Sequence, residues 1–568
     1  MAGGLIRAAD LAALRRAGRL VAHVDGHTVA LFADGDRVHA VDNRCPHMGF
    51  PLHRGTCADG ILTCHWHHAR FDLETGGTFD PWADDLRSFP VEIRDGEVWI
   101  DTRPRADVAE HQRQRLREGL ERDLPLVLAK AVLVLADEET AALRIALEFG
   151  VRHRQAGWGQ GLTILACMAN LLPRLAAEDR PRALYHGAAA VALESSGDAP
   201  RFPLRPLPGT QASADQLQRW FRQFVEVRDA EGAERCVVSA VQAGATPEQL
   251  AAMLFAAATD HRYIQGGHAL DFANKALEVL DVVGWDLAES VLPSLAAGLA
   301  SAERMEESNA WRHPVDLIAI LEAAFERMPA AGPGGWDGRG ELVDLLLADD
   351  PQATVDAMLE ALRSGANDVE LASAVAYAAV LRIARFPTSN EFGDWDTALH
   401  TFTFANAVEQ GIRRAPTHEL LRGVFDAAMS VYLDRFLNVP ATRLPAPDAG
   451  ADPRPLLDGL TDLLDQQQQV GEAALLVASY LSSGRDDEAL LAALGRVLLR
   501  EDRDFHTIQC VEAALRQYAR LRGSDEGRNV LVAAARYLAA HAPTVRAQGQ
   551  TYEIAARLHR GEHLYEQV

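Results

Sequence analysis

Two short segments, each with a cysteine closely followed by a histidine, constrain this chain more than any other feature. The first reads Cys45-Pro-His47, and after sixteen further residues the second reads Cys64-His-Trp-His67. Two thiolates and two imidazoles suit a [2Fe–2S] cluster whose irons take one pair each. A tetrahedral zinc site with the same four ligands is the alternative. Zinc fingers carry both histidines on one compact helix, so the arrangement in two loops favours the cluster.

The residues around these segments have the pattern of a small antiparallel β structure. Short apolar or alternating runs, such as HTVALFADGDRVHAVD and FPVEIRDGEVWI, follow one another closely with Asp-Gly and Gly-Gly turn signals. The loops CPHMGFPLHRG and CHWHHARFDLETG resemble the two cluster loops of Rieske proteins, and residues 1–103 as a whole resemble a Rieske ferredoxin domain. The resemblance implies that the [2Fe–2S] cluster is bound by Cys45, His47, Cys64 and His67.

The remainder of the chain is of a different kind. From about residue 125 it is rich in Ala, Leu, Arg and Glu, and apolar residues recur at intervals of three and four, which predicts α-helices throughout. Residues 104–124 form a polar, helix-forming connector. The predicted fold class is therefore α+β and multidomain: an antiparallel β domain at 1–103, a helical connector at 104–124 and a large all-α domain of repeated helical units at 125–568.

The helical region contains similar stretches, each with a histidine at the start of a predicted helix. The stretches with His268 and His400 match best, because Phe-Ala-Asn follows each histidine at the same distance. Looser copies contain His186 and His506. If four such units pack around one axis, the histidines converge, and imidazoles from facing helices can bind iron, copper or zinc. The alternative is that each histidine packs or caps its own helix.

The same histidine segments carry a second resemblance. LYHGAAAVALES, GGHALDFANKALE, ALHTFTFANAVEQ and FHTIQCVEAALRQY resemble the questin oxidase-like family, non-heme iron oxygenases that act on aromatic polyketides. The resemblance implies an iron held by several histidines, here His186, His268, His400 and His506, with His261 in reserve. A carbamylated lysine joins the iron in some members. Lys275 is the candidate here, although an ordinary polar role suits it better.

Composition excludes several classes of function. The 568 residues include 56 basic and 80 acidic side chains, a net charge of −24, which argues against binding nucleic acid. No apolar run reaches the roughly 18 residues of a membrane span. Six cysteines in a chain of this length do not indicate a disulfide scaffold. We therefore expect a cytoplasmic protein with no membrane partner.

Together these features predict a Rieske-dependent non-heme iron oxygenase. A ferredoxin or flavin reductase would supply electrons through the [2Fe–2S] cluster to a mononuclear iron held by histidines. There O2 would be used to oxidise a small apolar or aromatic substrate. The alternative is a Rieske electron-transfer or redox-sensing protein whose helical repeats form a docking domain. A helical zinc hydrolase is a third, weaker interpretation.

Overall fold

The computed structural model describes residues 4–103, 108–447, 453–484, 486–562 and 564–565. The chain forms two compact units. The first contains Met1–Ile145 together with Gln548–Val568, and the second contains Ala146–Ala547. This division differs from the one expected from composition, since the polar connector, the next helices and the last residues belong with the β domain.

The strands of the first unit are short and all their pairings are antiparallel, which confirms the predicted β architecture. They form three sheets, with the orders β1-β10-β9, β2-β3-β4-β8 and β5-β6-β7. The strands are β1 Leu5–Asp10, β2 Arg19–Val24, β3 His27–Asp34, β4 Arg37–Asp42, β5 Thr56–Ala58, β6 Ile61–Thr63, β7 Arg70–Asp72, β8 Ser88–Phe89, β9 Val91–Arg94 and β10 Glu97–Asp101.

Strand β3 lies between two apolar cores of this unit. Successive side chains of a strand point to opposite faces, so Val29 and Leu31 enter one core while Ala30 and Phe32 enter the other. The second of these cores also contains Cys45 and Cys64, both buried. The alternation along β3 therefore places the two cysteines within packed apolar surroundings.

The helices follow the predicted pattern, and the all-α character of the chain after the β domain is confirmed. They are α1 Leu11–Ala17, α2 Val108–Arg122, α3 Pro125–Val134, α4 Glu139–His153, α5 Gln160–Leu171, α6 Arg180–Ser195, α7 Ala214–Glu226, α8 Ala230–Gln242, α9 Pro247–Thr259, α10 His268–Val283, α11 Ala288–Val291, α12 Leu295–Ser301, α13 Leu317–Arg327, α14 Arg339–Leu346, α15 Pro351–Arg363, α16 Asp368–Ala384, α17 Phe392–Arg414, α18 His418–Leu433, α19 Pro453–Leu464, α20 Val470–Ser482, α21 Asp487–Leu499, α22 Phe505–Leu521, α23 Asp525–Ala540 and α24 Ala547–His559.

Helices α2, α3 and α24 pack against the β domain. Arg115 of α2 donates to the carbonyl oxygens of Pro81 and Ala83, each at 2.8 Å, and pairs with Asp84 at 3.1 Å. From α24, Leu558 packs so close to Gly49 that a Cβ there would lie 2.8 Å from Leu558 Cδ2. Residues 108–124 of the predicted connector are thus a structural part of the first unit, and residues 104–107 lie outside the described residues.

In the second unit, α17 contacts both α10 and α22, and α5 contacts α10 and α22. Helices α10, α17 and α22 carry His268, His400 and His506, respectively. Among the described residues, none of the helices combines the length and apolarity needed to cross a membrane.

Candidate metal centres

Two loops of similar construction carry the cysteine–histidine pairs. The first ligand loop, residues 45–50, is closed by a hydrogen bond from the Cys45 N–H to the Phe50 carbonyl oxygen at 2.8 Å. The second ligand loop, residues 64–69, is closed in the same way, from the Cys64 N–H to the Ala69 carbonyl oxygen at 2.8 Å. This shared closure turns each cysteine inwards and brings the histidines to the loop tips.

The four side chains converge as two pairs. The Nδ1 atoms of His47 and His67 lie 3.2 Å apart, with the ring centroids separated by 4.7 Å. A hydrogen bond with Cys45, together with the backbone N–H groups of Trp66 and His67, lowers the pKa of the Cys64 thiol to about 6. Two buried thiols and two facing imidazoles, with N–H donors aimed at sulfur, fit a [2Fe–2S] cluster with two cysteine and two histidine ligands.

A second group of imidazoles lies in the second unit. One ring nitrogen from each of His268, His400 and His506 lies within 4.8 Å of the other two, and we call this group the histidine triad. His400 Nε2 is 2.9 Å from His506 Nε2, and the ring centroids of His268 and His400 are 4.7 Å apart. The structure therefore brings together three of the four helical-region histidines that were predicted to bind the mononuclear iron.

A strained turn places His268 in the triad. Tyr263 and Gln265 have φ values of 40° and 43°, which are unfavourable for residues with a side chain, and Gly267 follows at 88°. A Cβ on Gly267 would lie 2.7 Å from the Cβ of Phe404, which sits on α17 one turn beyond His400. Glycine is therefore required here by both conformation and space, and His268 begins α10 directly after it.

Burial favours the neutral form of two of the triad histidines. It lowers the pKa of His268 to about 4, with a further contribution from His506. It also lowers the pKa of His400 to about 4, with contributions from the other two imidazoles. Neutral imidazoles carry the lone pair that a metal ion requires, so these two side chains are available as ligands at neutral pH.

Sequence reasoning missed Asp396. Its Oδ2 lies 3.8 Å from His506 Nδ1, and its Oδ1 accepts a hydrogen bond from the Tyr537 hydroxyl at 2.6 Å. A carboxylate on the far nitrogen of a ligating histidine commonly fixes the ring orientation. The available signal was spacing, because Asp396 precedes His400 by four residues and so shares its helix face.

Two predicted ligands lie outside the triad. His186 Nε2 is 3.0 Å from the carbonyl oxygen of Leu499. His261 Nδ1 is 2.9 Å from Glu306, and its Nε2 is 3.1 Å from Glu226. The expectation that each histidine opens a helix is also wrong for His186 and for His400, which lie within α6 and α17.

Lys275 is not placed at the triad either. Its side chain is buried, and its Nζ donates to Glu278 at 3.0 Å and to Glu512. Burial alone lowers the pKa of a lysine, but the two carboxylates outweigh burial and raise the pKa of Lys275. An ammonium group has no lone pair for carbon dioxide or a metal, so the structure shows Lys275 as an ion-pair partner.

Asp271 and Gln509 each follow a triad histidine by three residues, so each shares a helix face with that histidine. Gln509 donates a hydrogen bond to Asp271 Oδ2, which links α10 to α22. Burial raises the pKa of Asp271 to about 7. The pair therefore joins α10 and α22, the helices that carry His268 and His506.

Comparison with known proteins concerns the N-terminal part of the chain. Residues 5–90 match the family described as Rieske [2Fe–2S] domain. The ferredoxin component of an alkene monooxygenase system from Xanthobacter autotrophicus is 38% identical over 82 residues, 14% of this chain and 67% of that protein. Human apoptosis-inducing factor 3 is 38% identical over 73 residues, which are 13% of this chain and 12% of that protein.

Among solved structures, the ferredoxin of carbazole 1,9a-dioxygenase from Nocardioides aromaticivorans is similar, with 29% identity. The match covers 17% of this chain and 98% of that one, at a TM-score of 0.17. By the family match, the first unit contains a domain of the iron–sulfur class. Through residues 5–90, the chain belongs to the Rieske [2Fe–2S] family.

Proposed function

We propose that this protein is a Rieske-dependent non-heme iron oxygenase. In this proposal Cys45, His47, Cys64 and His67 hold a [2Fe–2S] cluster, and the histidine triad holds a mononuclear iron. A ferredoxin or flavin reductase donates the electrons, and a small apolar or aromatic substrate is oxidised with O2. The cluster would supply single electrons, and the iron would supply a site for O2 activation.

The observation that carries the proposal is the histidine triad. Three imidazoles converge from α10, α17 and α22, which are far apart in sequence, and imidazole ligands suit iron. A redox-inert zinc ion at the triad would have no use for electrons delivered by a cluster. The similarity to the Xanthobacter protein, described as the ferredoxin component of a monooxygenase system, supports a link to oxygenase chemistry.

Side chains around the triad can orient its histidines and restrict access to them. Asp396 lies 3.8 Å from the outer nitrogen of His506, and Tyr537 donates a hydrogen bond to Asp396. The rings of Phe272 and Phe505 pack on His268, with centroid distances of 5.3 Å and 5.6 Å. These aromatic side chains limit the access of water and favour an apolar or aromatic substrate beside the triad.

A second candidate is an electron carrier or redox sensor, in which the helical region serves as a docking domain. The ferredoxin relatives favour it, because they are described as components that work within larger systems. In this alternative the triad binds no iron, and the hydrogen bond between His400 and His506 is a packing contact.

Iron analysis of the full-length protein distinguishes the oxygenase from the electron carrier or redox sensor. We expect about three irons per chain, two of them in the cluster. Replacing His268 and His400 together with Ala should remove one iron and abolish O2 uptake with a reductase, and leave the cluster EPR signal intact. His186→Ala is the matched control and should keep all three. Two irons in the wild-type protein, with no O2 uptake, would favour the carrier.

A further inference from the structure

Lys130 of α3 binds the first ligand loop from outside the region that matches the Rieske family. Its Nζ donates hydrogen bonds to the carbonyl oxygens of Pro46 and of His47, the latter at 2.7 Å. Of the described residues, none forms an ion pair with Lys130 at the distances of a salt bridge. The carboxylate of Asp84 favours the charged form of Lys130, but this carboxylate pairs with Arg115 at 3.1 Å.

The two carbonyl groups belong to the peptides that face Cys45. The Pro46 carbonyl shares a peptide unit with the His47 N–H, and the His47 carbonyl shares one with the Met48 N–H. Both N–H groups donate to the Cys45 sulfur. In a planar trans peptide the C=O and N–H point in opposite directions, so Lys130 and Cys45 occupy opposite sides of the same two peptides.

A cation at a carbonyl oxygen polarises the peptide, and hydrogen bonds linked in series strengthen one another. Hydrogen bonds to the sulfur ligands and local charge both set the potential of an iron–sulfur cluster. The second ligand loop differs: in the described residues, no side-chain cation contacts the carbonyls of His65 or Trp66. The polarisation therefore acts on the Cys45 side alone.

We propose that Lys130 is a positioning residue that raises the reduction potential of the [2Fe–2S] cluster through the two peptides it shares with Cys45. The ammonium group strengthens the N–H···S bonds from His47 and Met48, and its charge stabilises the more negative reduced cluster. A side chain from the helical segment thus adjusts an electron carrier whose ligands all lie within the β domain.

The test is an EPR-monitored redox titration of the full-length protein with its cluster. Lys130→Met removes the charge and the donor at nearly constant length, and we expect the reduction equilibrium constant to fall at least tenfold, about 59 mV for one electron. Arg19→Met is the matched control, because Arg19 donates to the carbonyl oxygen of Gly55 at 2.6 Å, away from the ligand peptides. The control should leave the potential unchanged.

Lys130→Gln separates the two contributions, since it keeps an N–H donor without a charge, and its potential should lie between those of the wild type and Lys130→Met. If Lys130→Met loses its cluster and Lys130→Gln keeps it, the result would support a role of Lys130 in holding the first ligand loop. The reduction potential would then be measured with Lys130→Gln. Wild-type potentials in Lys130 variants with two irons and a normal EPR signal would overturn the proposal.

Discussion

His400 and His506 face each other through Nε2 atoms only 2.9 Å apart, although 106 positions separate them in the chain. At this distance the two nitrogens share a hydrogen bond, in which one ring donates its N–H to the other. For both Nε2 atoms to bind one metal ion, each ring must carry its proton on Nδ1. Asp396 lies on the Nδ1 side of His506, where its carboxylate favours that tautomer.

Asp396 should therefore control the metal affinity of the triad. Asp396→Asn is expected to weaken iron binding there by about 10- to 100-fold, the usual effect of losing such a carboxylate. Tyr537→Phe should have a smaller effect in the same direction, because it removes only the hydrogen bond to Asp396. Competition with a chelator measures the affinity.

Asp394→Asn is the control, since Asp394 accepts from the Glu391 N–H at the start of α17 and does not contact the triad. Equal affinities in the wild type and Asp396→Asn would show that Asp396 does not hold His506.

Gly267 should be irreplaceable. Gly267→Ala puts a Cβ 2.7 Å from that of Phe404 and forces a left-handed conformation on alanine, which costs about 1–2 kcal/mol before any clash. Because His268 follows directly, we expect loss of the triad iron as well as a lower Tm. Gly298→Ala, in α12, meets nothing within 4 Å and should keep the iron. Normal iron content in Gly267→Ala would contradict this role of the turn.

Asp271 should make the protein less stable as the pH rises. Its pKa is raised from 3.8 to about 7, so the folded state holds a proton that the unfolded state has released. The free energy of unfolding should then fall by roughly 1.4 kcal/mol for each pH unit across that window. Asp271→Asn removes the Asp271 contribution to this dependence, keeps an acceptor for Gln509, and should be more stable than the wild type at pH 8 but not at pH 4.

Urea unfolding at both pH values measures the difference. Asp426→Asn provides a contrast, since both Asp426 oxygens accept from Arg262 at 2.9 Å, and breaking a buried ion pair should destabilise the protein at pH 8. If the free energy of unfolding of Asp271→Asn changed with pH as much as that of the wild type, Asp271 would be ruled out as a source of the pH dependence.

Lys275 should be structural and unmodified. Lys275→Met removes one of the cations that pair with both Glu278 and Glu512, leaving Arg516, and breaking such a buried pair costs about 3–5 kcal/mol. Glu512→Gln in the same chain should restore part of that loss. NMR after incubation with 13C-bicarbonate should show no carbamate signal from Lys275. A carbamate signal that Lys275→Met abolishes would reinstate the lysine as a candidate ligand.

The sequence predicted most where ligands lie close together in the chain. Cys45 and His47, or Cys64 and His67, share one tight loop, so their spacing predicts a site with two thiolates and two imidazoles. The histidine triad was partly predictable, because the segments around His268 and His400 resemble each other. His186 has a similar sequence context, yet its ring meets the Leu499 carbonyl, a contact that no local pattern encodes.

Contacts between distant segments could not be predicted in the same way. Lys130 reaches carbonyl oxygens 83 and 84 positions away, and backbone carbonyls leave no mark in a sequence. Asp396 is one of many acidic residues in the helical region, and only packing shows that it lies near His506. The helical pattern predicted the class of fold, whereas packing decides which polar side chains meet.

The first unit is built from two segments, Met1–Ile145 and Gln548–Val568, with the whole second unit inserted between them. During synthesis, the β domain therefore emerges first, yet α24 can cover Gly49 only after some four hundred further residues have been made. Until then, the first ligand loop lacks one of its packing partners, so its packing is completed only once α24 has been made.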